Sequence, residues 1–265
     1  MRIRAALVAL LLTAGCGTGA AATDPHTVLR VGVSPSPHGE ILKHVADILA
    51  KDKNLKIKVV EFTDYVLPNT ALVDGDIDAN YFQTQPNLDA FKQTTGAPLE
   101  WIGAVHLEPL GLYSKKIHKL ADLPTGARIG IAKEGPNQTR GLALLQANGR
   151  IKVRTGTEAT ATLRDVEYNP GQLEFVELEP SELPRSLEDT DASVVNGNYA
   201  IGAGLKPSLD ALVLEKAEGN PNANGLVTRT ELKDDPRIAE LIGMLQSKQV
   251  KDYIKQKFSG TALPV

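Results

Sequence analysis

The sequence predicts an α/β protein made of two similar units. Short β-branched segments alternate with amphipathic segments along most of the chain, which is typical of βαβ units and of a mainly parallel sheet. The alternation starts again after Pro109. The chain has 265 residues, which is long for one hydrophobic core and suits two domains of ordinary size.

In the first unit, apolar runs of strand length indicate strands, and apolar residues at helical spacing indicate helices. Strands are predicted at residues 28–33, 56–62, 77–82 and 99–106. A helix is predicted after Pro37, where one apolar stripe is formed by Ile41, Leu42, Val45, Ile48 and Leu49. Two further helices are predicted at residues 66–73 and 86–93.

The second unit shows the same alternation. Strands are predicted at residues 111–114, 128–132, 173–178 and 192–195, with a helix at residues 138–147. One more short strand at residues 225–228 is followed by two amphipathic helices at residues 236–246 and 250–258. No internal repeat interrupts this order.

The amino-terminal segment has the pattern of an export signal. Arg2 and Arg4 precede an apolar run that is too short to span a bilayer, and small residues lead to Cys16, the single cysteine of the chain. This pattern resembles the lipobox of bacterial lipoproteins, although Thr13 stands where that box usually has leucine. It predicts a signal peptide at residues 1–15, a lipid on Cys16, and a flexible tether at residues 16–27. The alternative is an ordinary signal peptide with a chance cysteine.

Charge and composition exclude several classes of partner and site. The net charge of −3 becomes about −5 once Arg2 and Arg4 are removed, which gives no basic footprint for nucleic acid or for an anionic membrane surface. With Cys16 lipidated, no thiol remains for a disulfide, a cysteine nucleophile or a thiolate metal site. We therefore expect membrane attachment through the lipid alone.

Motifs of catalysis or of metal binding are not found in the sequence. No Gly-x-Ser-x-Gly or Ser-x-x-Lys motif occurs, and no phosphate-binding loop is present. No two histidines have i,i+4 spacing; they are His26, His38, His44, His106 and His118. These observations favour a binding protein over an enzyme, and we expect neither a metal nor a cofactor.

The candidate binding residues follow the predicted strands. Ligands of parallel α/β sheets bind beyond the carboxyl ends of strands, where aromatic and amide side chains occupy residues 80–86. Asn137 and Arg140 lie at the start of the helix after the strand at residues 128–132, a place suited to a carboxylate. Asn196 follows the strand at residues 192–195, and its amide oxygen can accept from an ammonium group. Together these residues indicate a free amino acid as ligand. Phe82 as a core residue and Arg140 as a solvated surface charge are the alternatives.

Several longer strings carry a resemblance to a known family. They are Pro-His-Gly-Glu-Ile-Leu at residues 37–42, Phe-Thr-Asp-Tyr-Val-Leu-Pro-Asn at 62–69, Gly-Asp-Ile-Asp-Ala-Asn-Tyr-Phe-Gln at 75–83, Glu-Pro-Leu-Gly-Leu-Tyr-Ser-Lys-Lys at 108–116, Leu-Pro-Arg-Ser-Leu at 183–187 and Asn-Gly-Leu-Val-Thr-Arg at 224–229. With them the chain resembles the methionine-binding lipoproteins of bacterial ABC importers, the NlpA group, over nearly all of its mature length.

The resemblance implies a type II periplasmic-binding-protein fold, in which two α/β lobes joined by two hinge crossings close on the ligand. One lobe would comprise residues 28–108 and 226–265, and the other residues 109–225. The crossings would lie near residues 109–114 and 225–229. By motif, Arg140 and Asn137 would hold the substrate carboxylate, and Asn196 and Asn224 the amino group. The side-chain pocket would be lined by Tyr65, Tyr81, Phe82 and Gln83, with Gln85 at its edge.

The implied partners are methionine, a membrane permease and a separate ATPase, with the chain itself a lipid-anchored monomer on the extracytoplasmic side of a bacterial membrane. An aromatic slot suits a thioether, so L-methionine is favoured. Relatives often have histidine where Gln83 or Gln85 stands and tyrosine where Asn222 stands. These departures leave D-methionine, methionine sulfoxide and a methionyl dipeptide open. Two other classes also remain, a surface interaction lipoprotein without a small ligand and a lipid-anchored hydrolase.

Overall fold

The structure is a computed structural model that describes residues 28–133 and 135–265. The predicted signal peptide, Cys16 and the tether lie outside these residues. Within the described part, no helix is both long enough and apolar enough to cross a membrane.

The strands are short and are numbered in chain order. They are β1 (Leu29–Val33), β2 (Ile57–Glu61), β3 (Ala79–Thr84), β4 (Leu99–Leu107), β5 (Gly111–Tyr113), β6 (Arg128–Ala132), β7 (Lys152–Val153), β8 (Val166–Tyr168), β9 (Glu174–Leu178), β10 (Ala192–Val195), β11 (Ala211–Leu214), β12 (Ala223–Arg229) and β13 (Leu263–Pro264).

The helices lie between the strands and at the carboxyl end. They are α1 (Glu40–His44), α2 (Leu67–Val73), α3 (Gln85–Thr95), α4 (Gly135–Ala147), α5 (Leu183–Ser186), α6 (Gly197–Gly202), α7 (Pro207–Asp210), α8 (Pro236–Leu245) and α9 (Lys248–Phe258). A wider π-helical turn at Val45–Leu49 extends α1.

The first sheet has six strands in the order β13-β4-β12-β3-β1-β2. Strand β1 pairs in parallel with β2 and β3, whereas β12 is antiparallel to both β3 and β4. The apolar face of this sheet packs against α1, α8 and α9, where Ile41, Leu241 and Ile254 are fully buried. This burial of apolar area is the main force that holds the helices on the sheet.

The second sheet has five strands in the order β11-β5-β10-β6-β9. Its core is separate from that of the first sheet and is centred on Leu112, Ile129, Leu142 and Leu145, each with no exposed surface. A small hairpin of β7 and β8 packs at its side. The chain therefore forms two α/β units, and it passes between the sheets at residues 108–110 and again at residues 215–222.

The prediction of a mainly parallel sheet is wrong. Each sheet is mixed, because strands that return from the other unit enter antiparallel: β12 inserts between β3 and β4, and β5 pairs antiparallel with β10 and β11. Sequence periodicity does not report which strands become neighbours across a long connection. The bounds of the two lobes stay a prediction.

The predicted helix after Pro37 is present, but its stripe is not buried throughout. Ile41, Leu42 and Val45 have no exposed surface, whereas Ile48 is 50% exposed. The wider turn at Val45–Leu49 changes the residue spacing from the 3.6 per turn on which the stripe was assigned. Ile48 is thereby turned away from the core.

Candidate functional site

A small cavity of about 20 Å³ lies where the carboxyl ends of strands from both sheets face each other. Eleven residues line it: Tyr65, Phe82, Thr84, Asn87, Glu108, Asn137, Arg140, Asn196, Gly197, Asn198 and Asn224. Most of these side chains are polar, and only Tyr65 and Phe82 offer aromatic surface. The lining comes from both α/β units, as expected for a site between two lobes.

Helix α3 begins at the cavity. Thr84, the last residue of β3, caps it: the Thr84 hydroxyl oxygen accepts from the Asn87 backbone N–H at 3.4 Å, and Pro86 occupies the first turn. Gly96, with a φ of 69°, ends the helix in the left-handed conformation. This start fixes Thr84 and Asn87 side by side in the cavity wall.

An ion pair with Glu215 fixes the orientation of the Arg140 side chain in α4. Its Nε donates to Oε1 and Oε2 of Glu215 at 2.9 and 3.0 Å, and its Nη2 donates to Glu215 Oε2 at 2.5 Å and to the Glu108 carbonyl at 2.9 Å. The side chain is only 9% exposed. Its Nη1 has no hydrogen-bond partner among the described residues, so it is available to a ligand anion in the cavity.

Two asparagine amides extend this polar wall. The Asn196 Nδ2 group donates to Asn137 Oδ1 at 2.8 Å, and the Asn137 Nδ2 group has no acceptor among residues 28–133 and 135–265. Asn196 Oδ1 is buried and has no hydrogen-bond partner in the part of the chain that the structure describes. An unpaired buried carbonyl is costly, so this atom is positioned to accept from a ligand N–H group.

Glu108 supplies the acidic end of the cavity. This residue follows β4, is 3% exposed, and its Oε1 lies 2.6 Å from His106 Nε2. The other ring nitrogen of His106 is hydrogen-bonded to the Tyr81 hydroxyl. His38 Nε2 lies 3.3 Å from the same Glu108 oxygen without the alignment of a hydrogen bond. The chain of contacts fixes the orientation of the Glu108 carboxyl.

Burial sets the charges of this cluster. Desolvation lowers the pKa of His38 to about 4 and that of His106 to about 3, so both rings are neutral at pH 7. Burial also raises the pKa of Glu108, and His38 and Arg140 oppose that rise. A cation placed next to Glu108 would favour its ionised form.

The sequence spacing of the histidines did not indicate that they meet, yet the ligating atoms of His38, His106 and Glu108 lie within 4.8 Å of one another. Imidazole and carboxylate are ligands for zinc. However, Tyr81 and Glu108 already use both ring nitrogens of His106. We therefore interpret the cluster as a hydrogen-bonded support for Glu108.

Two tyrosines join the units at the rim of the cavity. The Tyr65 hydroxyl donates to Asn198 Oδ1 at 2.5 Å, and the Tyr199 hydroxyl donates to the Thr63 carbonyl at 3.1 Å. Their rings contact each other with centroids 5.0 Å apart. Beyond this contact lies a second cavity of about 320 Å³, and Asn198 also lines it.

The structure brings six of the nine predicted binding residues together in the cavity wall: Tyr65, Phe82, Asn137, Arg140, Asn196 and Asn224. The other three are not among the lining residues. Tyr81 is fully buried against His106, and Gln83 is hydrogen-bonded to the side chains of Asn69 and Asn80. Gln85 is exposed at the start of α3.

A β-bulge explains why neighbours in sequence separate here. In the pairing of β3 with β12, Leu226 is opposite Tyr81 and Gly225 is opposite Gln83, so Phe82 is an extra residue in β3. Bulges re-aim side chains near binding sites, and Phe82 is thereby turned into the cavity while its neighbours are buried elsewhere. The bulge depends on a strand more than a hundred residues away, which local sequence cannot report.

Sequence reasoning missed several residues of the site. They are Thr84, Asn87, Glu108, Asn198 and Glu215. Thr84 and Glu108 follow the pattern that indicated the others, because each stands at the carboxyl end of a strand. Glu215 had no such signal, since its role appears only through its ion pair with Arg140.

Comparison with known proteins shows which family the chain is similar to. The sequence model of the NlpA lipoprotein family matches residues 29–265. The methionine-binding lipoprotein MetQ of Bacillus subtilis is 40% identical over 256 residues, covering 95% of this chain and 93% of that protein.

Solved structures match over nearly the same length. A nutrient-binding protein of Burkholderia cenocepacia bound to methionine aligns with a TM-score of 0.86 at 40% identity, covering 89% of this chain and 99% of that one. A periplasmic substrate-binding protein of an ABC transporter of Coxiella burnetii aligns with a TM-score of 0.85 at 38% identity, covering 89% and 100%. The predicted periplasmic-binding-protein fold is confirmed, and this chain belongs to the NlpA lipoprotein family.

Proposed function

We propose that this chain is the substrate-binding protein of an ABC importer and that it captures methionine or a close derivative between its two lobes. The proposal rests on one observation: hydrogen-bond donors and acceptors that have no partner among the described residues lie in the wall of one cavity. Arg140 Nη1 and the Asn137 amide can donate to a carboxylate, while Asn196 Oδ1 and Glu108 can accept from an ammonium. These two sets match the two ends of a free amino acid.

The other parts of the importer belong to the same proposal. The chain would deliver its ligand to a membrane permease driven by a separate ATPase, because it has no phosphate-binding loop of its own. It would act as a monomer held at the extracytoplasmic face of the membrane by a lipid on Cys16. Partition in detergent tests the anchor: the processed protein should enter the detergent phase, and a Cys16→Ala variant should stay in the aqueous phase.

Native mass spectrometry followed by calorimetric titration tests the binding function. We expect the purified protein to release a small amino acid, and we expect the protein refolded without ligand to bind L-methionine or one of its derivatives. A protein that releases nothing and gives no heat with L-methionine, D-methionine, methionine sulfoxide or a methionyl dipeptide would contradict the proposal and favour a surface interaction role. Product formed from methionyl peptides would favour the hydrolase.

A further inference from the structure

Two polar side chains of the cavity take no part in the proposed binding of the ligand's carboxylate and ammonium groups. Thr84 is 6% exposed, and its hydroxyl oxygen accepts from the Asn87 backbone, but the hydroxyl hydrogen has no acceptor among the described residues. The side-chain amide of the half-buried Asn87 likewise has no partner in the described chain. Both groups line the cavity.

These two groups offer hydrogen-bond donors to the side chain of the ligand. The Thr84 hydroxyl and the Asn87 Nδ2 group can both donate to one oxygen atom, because Thr84 caps α3 and Asn87 lies in its first turn. A thioether sulfur is a weak acceptor and would leave the buried Thr84 donor unsatisfied. An oxygen on the ligand side chain would satisfy it.

The aromatic walls of the cavity can contact an apolar end of the ligand side chain. Phe82 and Tyr65 lie with ring centroids 6.1 Å apart and form the aromatic surface of the cavity. The ligand side chain that uses both surfaces has an oxygen near its end and a methyl group beyond it. Methionine sulfoxide has this structure, since oxidation places an oxygen on the sulfur and keeps the terminal methyl group.

We propose that Thr84 and Asn87 form a polar subsite that selects methionine sulfoxide over methionine. This inference rests on the proposed function, because it requires an amino acid whose ends lie at Arg140 and Glu108. In the wild-type protein the sulfoxide should bind about fivefold to a hundredfold more tightly than L-methionine, the range that one or two neutral hydrogen bonds supply.

Calorimetric titration of the refolded, ligand-free protein tests the subsite with L-methionine, L-methionine sulfoxide, L-norleucine and L-glutamine. We expect the sulfoxide to bind most tightly. Glutamine carries an oxygen at the same position of the side chain but lacks the methyl group, so it should bind more weakly. Norleucine, which has neither oxygen nor sulfur, should resemble methionine.

Two substitutions remove the donors and keep the number of side-chain heavy atoms, Thr84→Val and Asn87→Leu. Each should weaken sulfoxide binding about threefold to tenfold more than it weakens L-methionine binding, so the ratio of the two affinities should fall. Thr84→Ser keeps both the helix cap and the hydroxyl, so it should retain the preference. Thr94→Val, an exposed position of the same helix, is the matched control. A thermal melt of each variant verifies folding.

The two proposals fail in different ways. If L-methionine binds as tightly as the sulfoxide, or if Asn87→Leu leaves the ratio of the two affinities unchanged, the polar subsite is wrong while the binding function stands. If none of the four amino acids binds, both proposals are overturned.

Discussion

Arg140 is the residue on which affinity should depend most. Its guanidinium is held by Glu215, and in the proposed complex its Nη1 donates to the ligand carboxylate, which the Arg140→Ala variant would leave without its charged partner. Loss of one side of such a buried pair costs about 2–5 kcal/mol, or roughly thirtyfold to several thousandfold in affinity. Calorimetric titration with L-methionine and its sulfoxide measures this loss.

The control for Arg140 is Lys248→Ala, a substitution at a side chain that is 90% exposed. That variant should bind as the wild type does. Arg140→Ala also leaves Glu215 without its ion-pair partner, so a thermal melt is needed to separate lost binding from lost folding. If the folded Arg140→Ala and Lys248→Ala variants bind the ligand equally tightly, the ligand carboxylate does not lie at Arg140.

His38 should make stability depend on pH. Its pKa is about 4 in the folded protein and 6.5 in the unfolded chain, so the unfolded chain binds a proton that the folded protein excludes. Stability contributed by the neutral ring is therefore present above pH 6.5 and is lost as the pH falls from 6.5 towards 4. The slope for one such group reaches about 1.4 kcal/mol per pH unit.

Urea unfolding between pH 7 and pH 4 measures this slope. His38→Asn should flatten it, whereas the exposed His118→Asn should leave it unchanged. His106, which burial keeps neutral in the same way, contributes to the slope that remains in the His38 variant. Identical slopes in the wild type and the His38 variant would mean that the ring is not excluded from protonation.

At the scale of secondary structure, the sequence predicts the elements better than their arrangement. Residues 128–132 and 192–195 form strands with the predicted bounds, because their buried apolar runs are flanked by turn residues. The hairpin of β7 and β8, strand β11 and helix α6 are too short or too polar to show a period. The bulge that separates Phe82 from Tyr81 arises from pairing with β12 and has no local signal.

Gly225 of β12 packs too closely against β4 to carry a side chain. A Cβ atom at Gly225 would lie 2.3 Å from the Gly103 carbonyl oxygen and 2.4 Å from the Trp101 ring. Gly225→Ala should therefore destabilise the protein by about 1–3 kcal/mol, since the backbone must shift. Gly243→Ala, in α8 with open space around the new methyl group, should stabilise it by about 0.5–1 kcal/mol.

Urea denaturation compares the two alanine variants directly. The midpoint should fall for the Gly225 variant and rise slightly for the Gly243 variant, with similar slopes. If the Gly225 and Gly243 variants are equally stable, β12 can move away from β4 without loss of stability.

At the scale of the whole molecule, the two units touch through a few specific contacts rather than a shared core. Each unit has its own buried cluster, and the Tyr65 and Tyr199 hydroxyls join them at the cavity rim. Few apolar contacts must break for the units to separate, so hinge opening around residues 108–110 and 215–222 is expected to be easy. A ligand that bridges Arg140 and Glu108 would then favour the closed arrangement.

Tyr199→Phe tests this closure without altering the cavity lining. The variant keeps the ring but loses the hydroxyl that donates to the Thr63 carbonyl, a bond that exists only when the units are together. We expect ligand affinity to fall by about twofold to tenfold, mainly through faster dissociation. Tyr168→Phe, at a tyrosine that is 59% exposed, is the matched control. Small-angle scattering should show a smaller radius of gyration on ligand saturation in both variants. A wild-type radius that does not change when ligand is added would contradict hinge closure.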